Sequence, residues 1–112
     1  MNNEIIKKRL LELIKEKSLV TGHFVLASGG QSNFFDMKPT LLDPEGGHLI
    51  AEAIINIIGD EQIDYIGGLE SGAISLATAV SLKSWLVGNQ FQGFMLEKSR
   101  KREAPYGLLK GI

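Results

Sequence analysis

"IDYIGGLESGAISLATAVSLKSWL", residues 63–86, decides the fold. Ile63–Gly68 is a short apolar run closed by two glycines, as expected of a buried strand that feeds a loop. From Ser71 to Leu86 small residues come first, and Ala, Val and Leu then recur at helical spacing, so the loop opens directly into a helix. Past the Gly88-Asn89 turn, "FQGFMLEK" (91–98) reads as a second strand. Strand, helix, strand in this order is one βαβ crossover, which predicts a parallel sheet in an α/β protein.

Upstream, Ile5, Ile6, Leu10, Leu13 and Ile14 recur at helical spacing, with Asn2 or Asn3 as N-cap, which predicts an amphipathic helix over 3–17. "GHFVLASGG" and "SNFFDMK" predict a hairpin joined by a glycine turn and added antiparallel at the front of the sheet. "PTLLDPEG" reads as a proline-containing connection in which Asp43 caps a helix that starts at Pro44 and ends near Gly59. Leu49, Ile50, Ala53, Ile54, Ile57 and Ile58 form that helix's apolar stripe.

The 112 residues predict one domain; 44% are apolar and 22% charged, as in ordinary globular proteins. A net charge of −1 gives no electrostatic footprint for nucleic acid or an anionic membrane. The absence of cysteine excludes disulfides, zinc–thiolate centres and a cysteine nucleophile, and points to the cytoplasm. The N-terminal stretch mixes Glu and Lys with its apolar residues, unlike a signal peptide or a membrane span. His23 and His48 stand apart from any metal-ligand spacing and read as structural, so no protein metal site is expected.

Three segments carry candidate chemistry. In "GGLESGAIS" (67–75) the loop lies beyond the carboxyl end of a strand and leads into a helix N-terminus, the position that favours an anion such as phosphate or diphosphate. Glu70 and Ser71 add an acceptor and a hydroxyl, and Gly72 lets a ligand approach the backbone; the same glycines equally serve a tight turn and close helix–sheet packing. In "SNFFDMK" (32–38) Phe34 and Phe35 offer a stacking surface for a flat heterocycle, with Asp36 and Lys38 at its polar edges. Strand alternation sends the two rings to opposite faces, and packing alone accounts for them as well. "EKSRKREAPYG" (97–107) concentrates Lys98, Arg100, Lys101 and Arg102 within five residues; it reads either as a solvated face or as a mobile lid over a polyanion.

Taken together and in order, these blocks resemble the N-terminal half of orotate phosphoribosyltransferases, through "GHFVLASGGQSNFFDMKPTLLDPEG", "IDYIGGLESGAISLATAVS" and "GFMLEKSRK". The resemblance implies a partial type I phosphoribosyltransferase fold: a parallel sheet with helices on both faces, preceded by a helix and a β-hairpin. It implies a glycosyltransferase of pyrimidine and UMP biosynthesis that converts orotate and phosphoribosyl diphosphate, with Mg²⁺ carried by the diphosphate, into orotidine 5′-phosphate and diphosphate. Phe34 and Phe35 would lie at the orotate-stacking segment, Glu70-Ser71-Gly72 at the diphosphate loop. Lys98 and Lys101 would be the catalytic cations of a mobile basic loop that also holds Arg100 and reaches across a homodimer into the partner's site.

Three departures accompany the match. Glu97 and Glu103 stand where the family's pattern has cations, and a carboxylate beside diphosphate repels it. "SNFFDMK" is one residue shorter than the family's usual segment. The family's paired Asp residues and Thr/Gly-rich 5-phosphate loop do not occur within residues 1–112, so this chain alone is expected to show negligible turnover and an exposed apolar sheet edge. An alternative from another class is a non-catalytic ligand-binding or interaction module on the same fold.

Overall fold

The computed structural model of the chain describes residues 2–25, 31–97 and 109–111. Helix α1 spans Asn3–Lys17, and Asn2 Oδ1 accepts the Glu4 amide at 2.8 Å, which fixes the N-cap. Strands β1 (Leu19–Val25) and β2 (Gln31–Phe35) pair antiparallel as the expected hairpin, with Leu19 opposite Phe35 and Phe24 opposite Ser32. Between these pairs the register shifts by two residues on β1, and an even shift keeps the alternation of the two strands in phase. The glycine turn between them, 26–30, lies outside the described residues.

The proline-containing connection is more ordered than its sequence suggests. Lys38–Leu42 forms a one-turn helix, α2, because Pro39 falls in the first turn, where a missing amide costs nothing. Asp36 Oδ1 accepts the Lys38 amide at 3.0 Å and supports this start. Helix α3, Pro44–Ile58, begins as expected: Asp43 caps it by accepting the Gly46 amide at 2.8 Å, and Gly59 closes it with a φ of 59°. Its apolar stripe departs at one position, since Ile57 is 83% exposed.

Strands β3 (Tyr65–Leu69) and β4 (Gln92–Leu96) are parallel, in register from Tyr65 opposite Gln92 to Leu69 opposite Leu96, with helix α4 (Gly72–Leu86) crossing between them. A two-residue strand β5, Leu109–Lys110, adds antiparallel to β4. The hairpin makes a two-stranded sheet of its own and does not extend this three-stranded one, because β2 runs straight into α2 and the chain reaches β3 only after α3. The helices expected on both faces are found, among the described residues, on the Ile66 and Gly68 face of β3; Tyr65 and Leu69 on the other face are exposed.

Helix α3 joins two clusters of buried side chains. Leu49 packs with Ile6 and Leu13 of α1, while Ala51 packs with Val80 of α4 and Phe91. Between α1, α2 and α3 the buried hydroxyls of Ser18 and Thr40 hydrogen-bond to each other, and Arg9 grips Glu45 through Nε and Nη2, both at 2.7 Å. No helix among the described residues is long and apolar enough to cross a membrane.

Candidate functional site

The loop Glu70-Ser71-Gly72 connects the carboxyl end of β3 to the first residue of α4. The amide of Glu70 continues the ladder by donating to Leu96 O at 2.9 Å, so the loop is tied to the last residue of β4. Two parallel strands therefore end side by side: one continues into the glycine loop, the other into Glu97 and the basic segment. Ser71 precedes the helix without a side-chain cap hydrogen bond, and Ser71 and Gly72 are exposed. The first amides of a helix lack the usual partners within it, although here that of Ile74 donates to Ser71 O at 3.1 Å, so the loop offers the Gly72 and Ala73 amides and the helix's positive end to an anion.

The sequence left two readings of the glycines open, and the structure divides them by residue. A Cβ on Gly67 would stand 2.3 Å from Phe94 O and 2.6 Å from its Cγ, so this glycine is the seat of the Phe94 ring. A Cβ on Gly68 would meet Ala73 Cβ at 3.0 Å, so this glycine makes room for the first turn of α4 against the strand. A Cβ on Gly72 meets nothing within 4 Å, and its backbone does not require glycine. Packing thus explains Gly67 and Gly68, whereas no described neighbour requires glycine at 72. Phe94 and the Leu96 carbonyl escaped the sequence reading, although period-two alternation from Gly93 and the parallel register would have set Phe94 opposite Gly67.

The remaining candidate residues are placed less closely. Phe34 and Phe35 form the last two pairs of β2, opposite Val20 and Leu19. Lys38 is exposed at the start of α2. Lys98, Arg100 and Lys101, with Glu103, lie outside the described residues. Among the described residues no three His, Asp or Glu side chains converge on a metal position.

Three carboxylates of the helical layer titrate below their ordinary range. The Arg9 guanidinium holds the Glu45 carboxyl below its ordinary range, and the Gly46 amide does the same for Asp43, helped by Lys17 Nζ at 3.2 Å from its Oδ1. Lys83 Nζ, 2.9 Å from Glu52 Oε2, lowers Glu52 likewise; His48 lies 3.6 Å from the same oxygen. These ion pairs fasten α1 to α3 and α3 to α4.

No family model matches the chain. The orotate phosphoribosyltransferase of Bradyrhizobium sp. strain BTAi1 is 41% identical over 113 residues, covering 100% of this chain and 61% of the relative. That of Rhodopseudomonas palustris strain BisB5 is 42% identical over 113 residues, covering 100% of this chain and 60% of the relative. Among solved structures, the Mycobacterium tuberculosis H37Rv orotate phosphoribosyltransferase in complex with Fe(III) dicitrate superposes with a TM-score of 0.80 at 27% identity, covering 96% of this chain and 60% of that one. The same protein in complex with inorganic phosphate gives 0.78 at 26% identity, over 96% of this chain and 58% of that one. The chain spans about three fifths of the length of the curated relatives it matches. Sequence similarity thus runs along the whole length of the chain and the fold agrees: the chain is similar to the amino-terminal part of orotate phosphoribosyltransferases.

Proposed function

We propose that this chain supplies the diphosphate side of an orotate phosphoribosyltransferase site, in the step of pyrimidine nucleotide synthesis that joins orotate to the phosphoribosyl group and releases diphosphate. The observation that carries this reading is the convergence of the Glu70-Ser71-Gly72 loop and the root of the basic segment at the ends of two hydrogen-bonded parallel strands. The reaction needs no protein nucleophile. As diphosphate leaves the anomeric carbon, positive charge grows on the ribose and negative charge on the leaving oxygen. The amides at the head of α4 and the ammonium groups of Lys98, Arg100 and Lys101 answer the negative charge, and closure of the basic segment keeps water from the sugar cation. Phe34 and Phe35 hold the orotate ring, with Lys38 at its polar edge.

Mg²⁺ enters with the substrate, held by diphosphate oxygens, and neutralises part of their charge. The protein works in the cytoplasm as a homodimer, in which the basic segment of one copy serves the site of the other. Residues 1–112 fold as one unit, and the grip on the ribose 5-phosphate belongs to the part of the family's length that this chain does not span. Turnover of orotate by the chain alone is therefore expected to be negligible.

Calorimetric titration tests the reading. Phosphoribosyl diphosphate with Mg²⁺ should bind, and Lys98→Ala with Lys101→Ala should weaken it at least tenfold. Absence of binding by both orotate and phosphoribosyl diphosphate would overturn the reading in favour of an interaction module.

A further inference from the structure

Gln92 is exposed, yet its side-chain amide donates twice: Nε2 gives one hydrogen bond to Gly93 O at 3.0 Å and one to Gly111 O at 2.8 Å. Two carbonyl acceptors fix which end of the amide faces them. The first bond stays on β4; the second crosses to the chain that comes back along it. Gly111 fits that crossing closely, since a Cβ there would stand 2.5 Å from Gly93 O and its φ of 99° favours glycine. β5 itself contributes two rungs, Met95 opposite Lys110 and Leu96 opposite Leu109, and so short a pairing is marginal on its own. The side-chain bond and the glycine seat extend it towards the start of β4.

Three chain segments meet at Leu96. Its carbonyl receives the Glu70 amide of the glycine loop, the basic segment follows it in sequence, and Leu109 pairs opposite it when the chain returns. Leu96 and Leu109 therefore hold together, beside the glycine loop, the two ends of residues 97–108, which include Lys98, Arg100 and Lys101. A loop of that length with its ends together carries its charges no farther than about 20 Å from its base, half its extended length. Releasing the return end lets the cations spread through a larger volume and lowers their concentration at the loop.

We propose that Gln92 is a positioning residue for diphosphate binding: by tying Gly111 to β4 it sets where the basic segment returns to the sheet, and so keeps Lys98 and Lys101 within reach of the glycine loop. Gln92 pairs with Tyr65, four rungs and about 13 Å from Leu69 and Leu96, so it acts without touching a ligand at that loop. The inference rests on the diphosphate reading above and adds to it a residue outside the three candidate segments.

Gln92→Met keeps the length of the side chain and removes its donors; Gly111→Ala disturbs the same contact from the other side. Amide hydrogen exchange comes first, because it needs no ligand. Across Leu109–Gly111 it should quicken at least tenfold in both variants, with exchange in β3 and the thermal midpoint unchanged. Calorimetric titration with phosphoribosyl diphosphate and Mg²⁺ should then show both variants binding at least fivefold more weakly than wild type. In a Lys98→Ala, Lys101→Ala background, Gln92→Met should weaken binding no further, a coupling that a merely structural role would not produce. Unchanged exchange, unchanged affinity, or an equal loss with and without the lysines would overturn the proposal. A wild-type chain that binds no phosphoribosyl diphosphate would overturn the diphosphate reading and this proposal with it, a failure distinct from binding that the variants leave intact.

Discussion

The amide of Glu70 lies 2.9 Å from the carbonyl oxygen of Leu96, so the last rung of the β3–β4 ladder falls inside the glycine loop. The position of that loop consequently depends on the register of the two strands. Gly67 and Phe94, paired two rungs before Leu69 and Leu96, help to set it.

Gly67→Ala should cost about 2 kcal/mol of stability in a urea melt, because its Cβ meets a backbone oxygen at 2.3 Å and overpacking is relieved only by moving β4. Gly72→Ala, where a Cβ meets nothing, should change stability by less than about 0.5 kcal/mol. The same substitution should nevertheless weaken diphosphate binding severalfold. Equal losses of stability from the two variants would contradict the division of roles between these glycines.

Thr40 and Ser18 are fully buried and bonded to each other. Thr40→Val preserves shape but strands the Ser18 hydroxyl, at a cost of about 1–3 kcal/mol. Thr40→Ser should retain most of the stability, and the difference between the variants in the same melt isolates the hydrogen bond from the packing.

Acid should loosen the helical layer. Asp43, Glu45 and Glu52 all titrate below their ordinary values in the folded chain, each stabilised as a carboxylate by the Gly46 amide, Arg9 and Lys83 respectively. A depressed carboxylate contributes stability that is fully present above its unfolded pKa and is lost as pH falls through the folded one. The thermal midpoint should therefore be flat above the ordinary carboxylate range and fall below it. Lys83→Met should make that fall shallower by removing the main partner of Glu52; an unchanged acid slope would count against the pairing.

Much of the fold was legible because its signals are local. The caps at Asn2, Asp43 and Gly59 and the βαβ unit of residues 65–96 follow from short spacings that tertiary contacts reinforce. What escaped depends on contacts distant in sequence. Helix α2 hides behind Pro39, which reads as a breaker unless its place in the first turn is known. Ile57 fits the helical period but is exposed, and the separation of the hairpin from the main sheet leaves no trace in either strand's own residues. At the site, the glycine loop could be recognised but its glycines could not be sorted, since Gly67 and Gly68 differ from Gly72 only in what stands opposite them.

The claim that the Glu70-Ser71-Gly72 loop meets diphosphate is tested most directly by titrating the ¹⁵N-labelled chain with magnesium diphosphate and following its backbone amides. The largest shifts should fall on Glu70, Ser71, Gly72 and Ala73, saturate together, and weaken as salt is raised. Shifts absent at millimolar ligand, or confined to the opposite end of the sheet around Asp60–Asp64 and Gly88–Gln90, would contradict it.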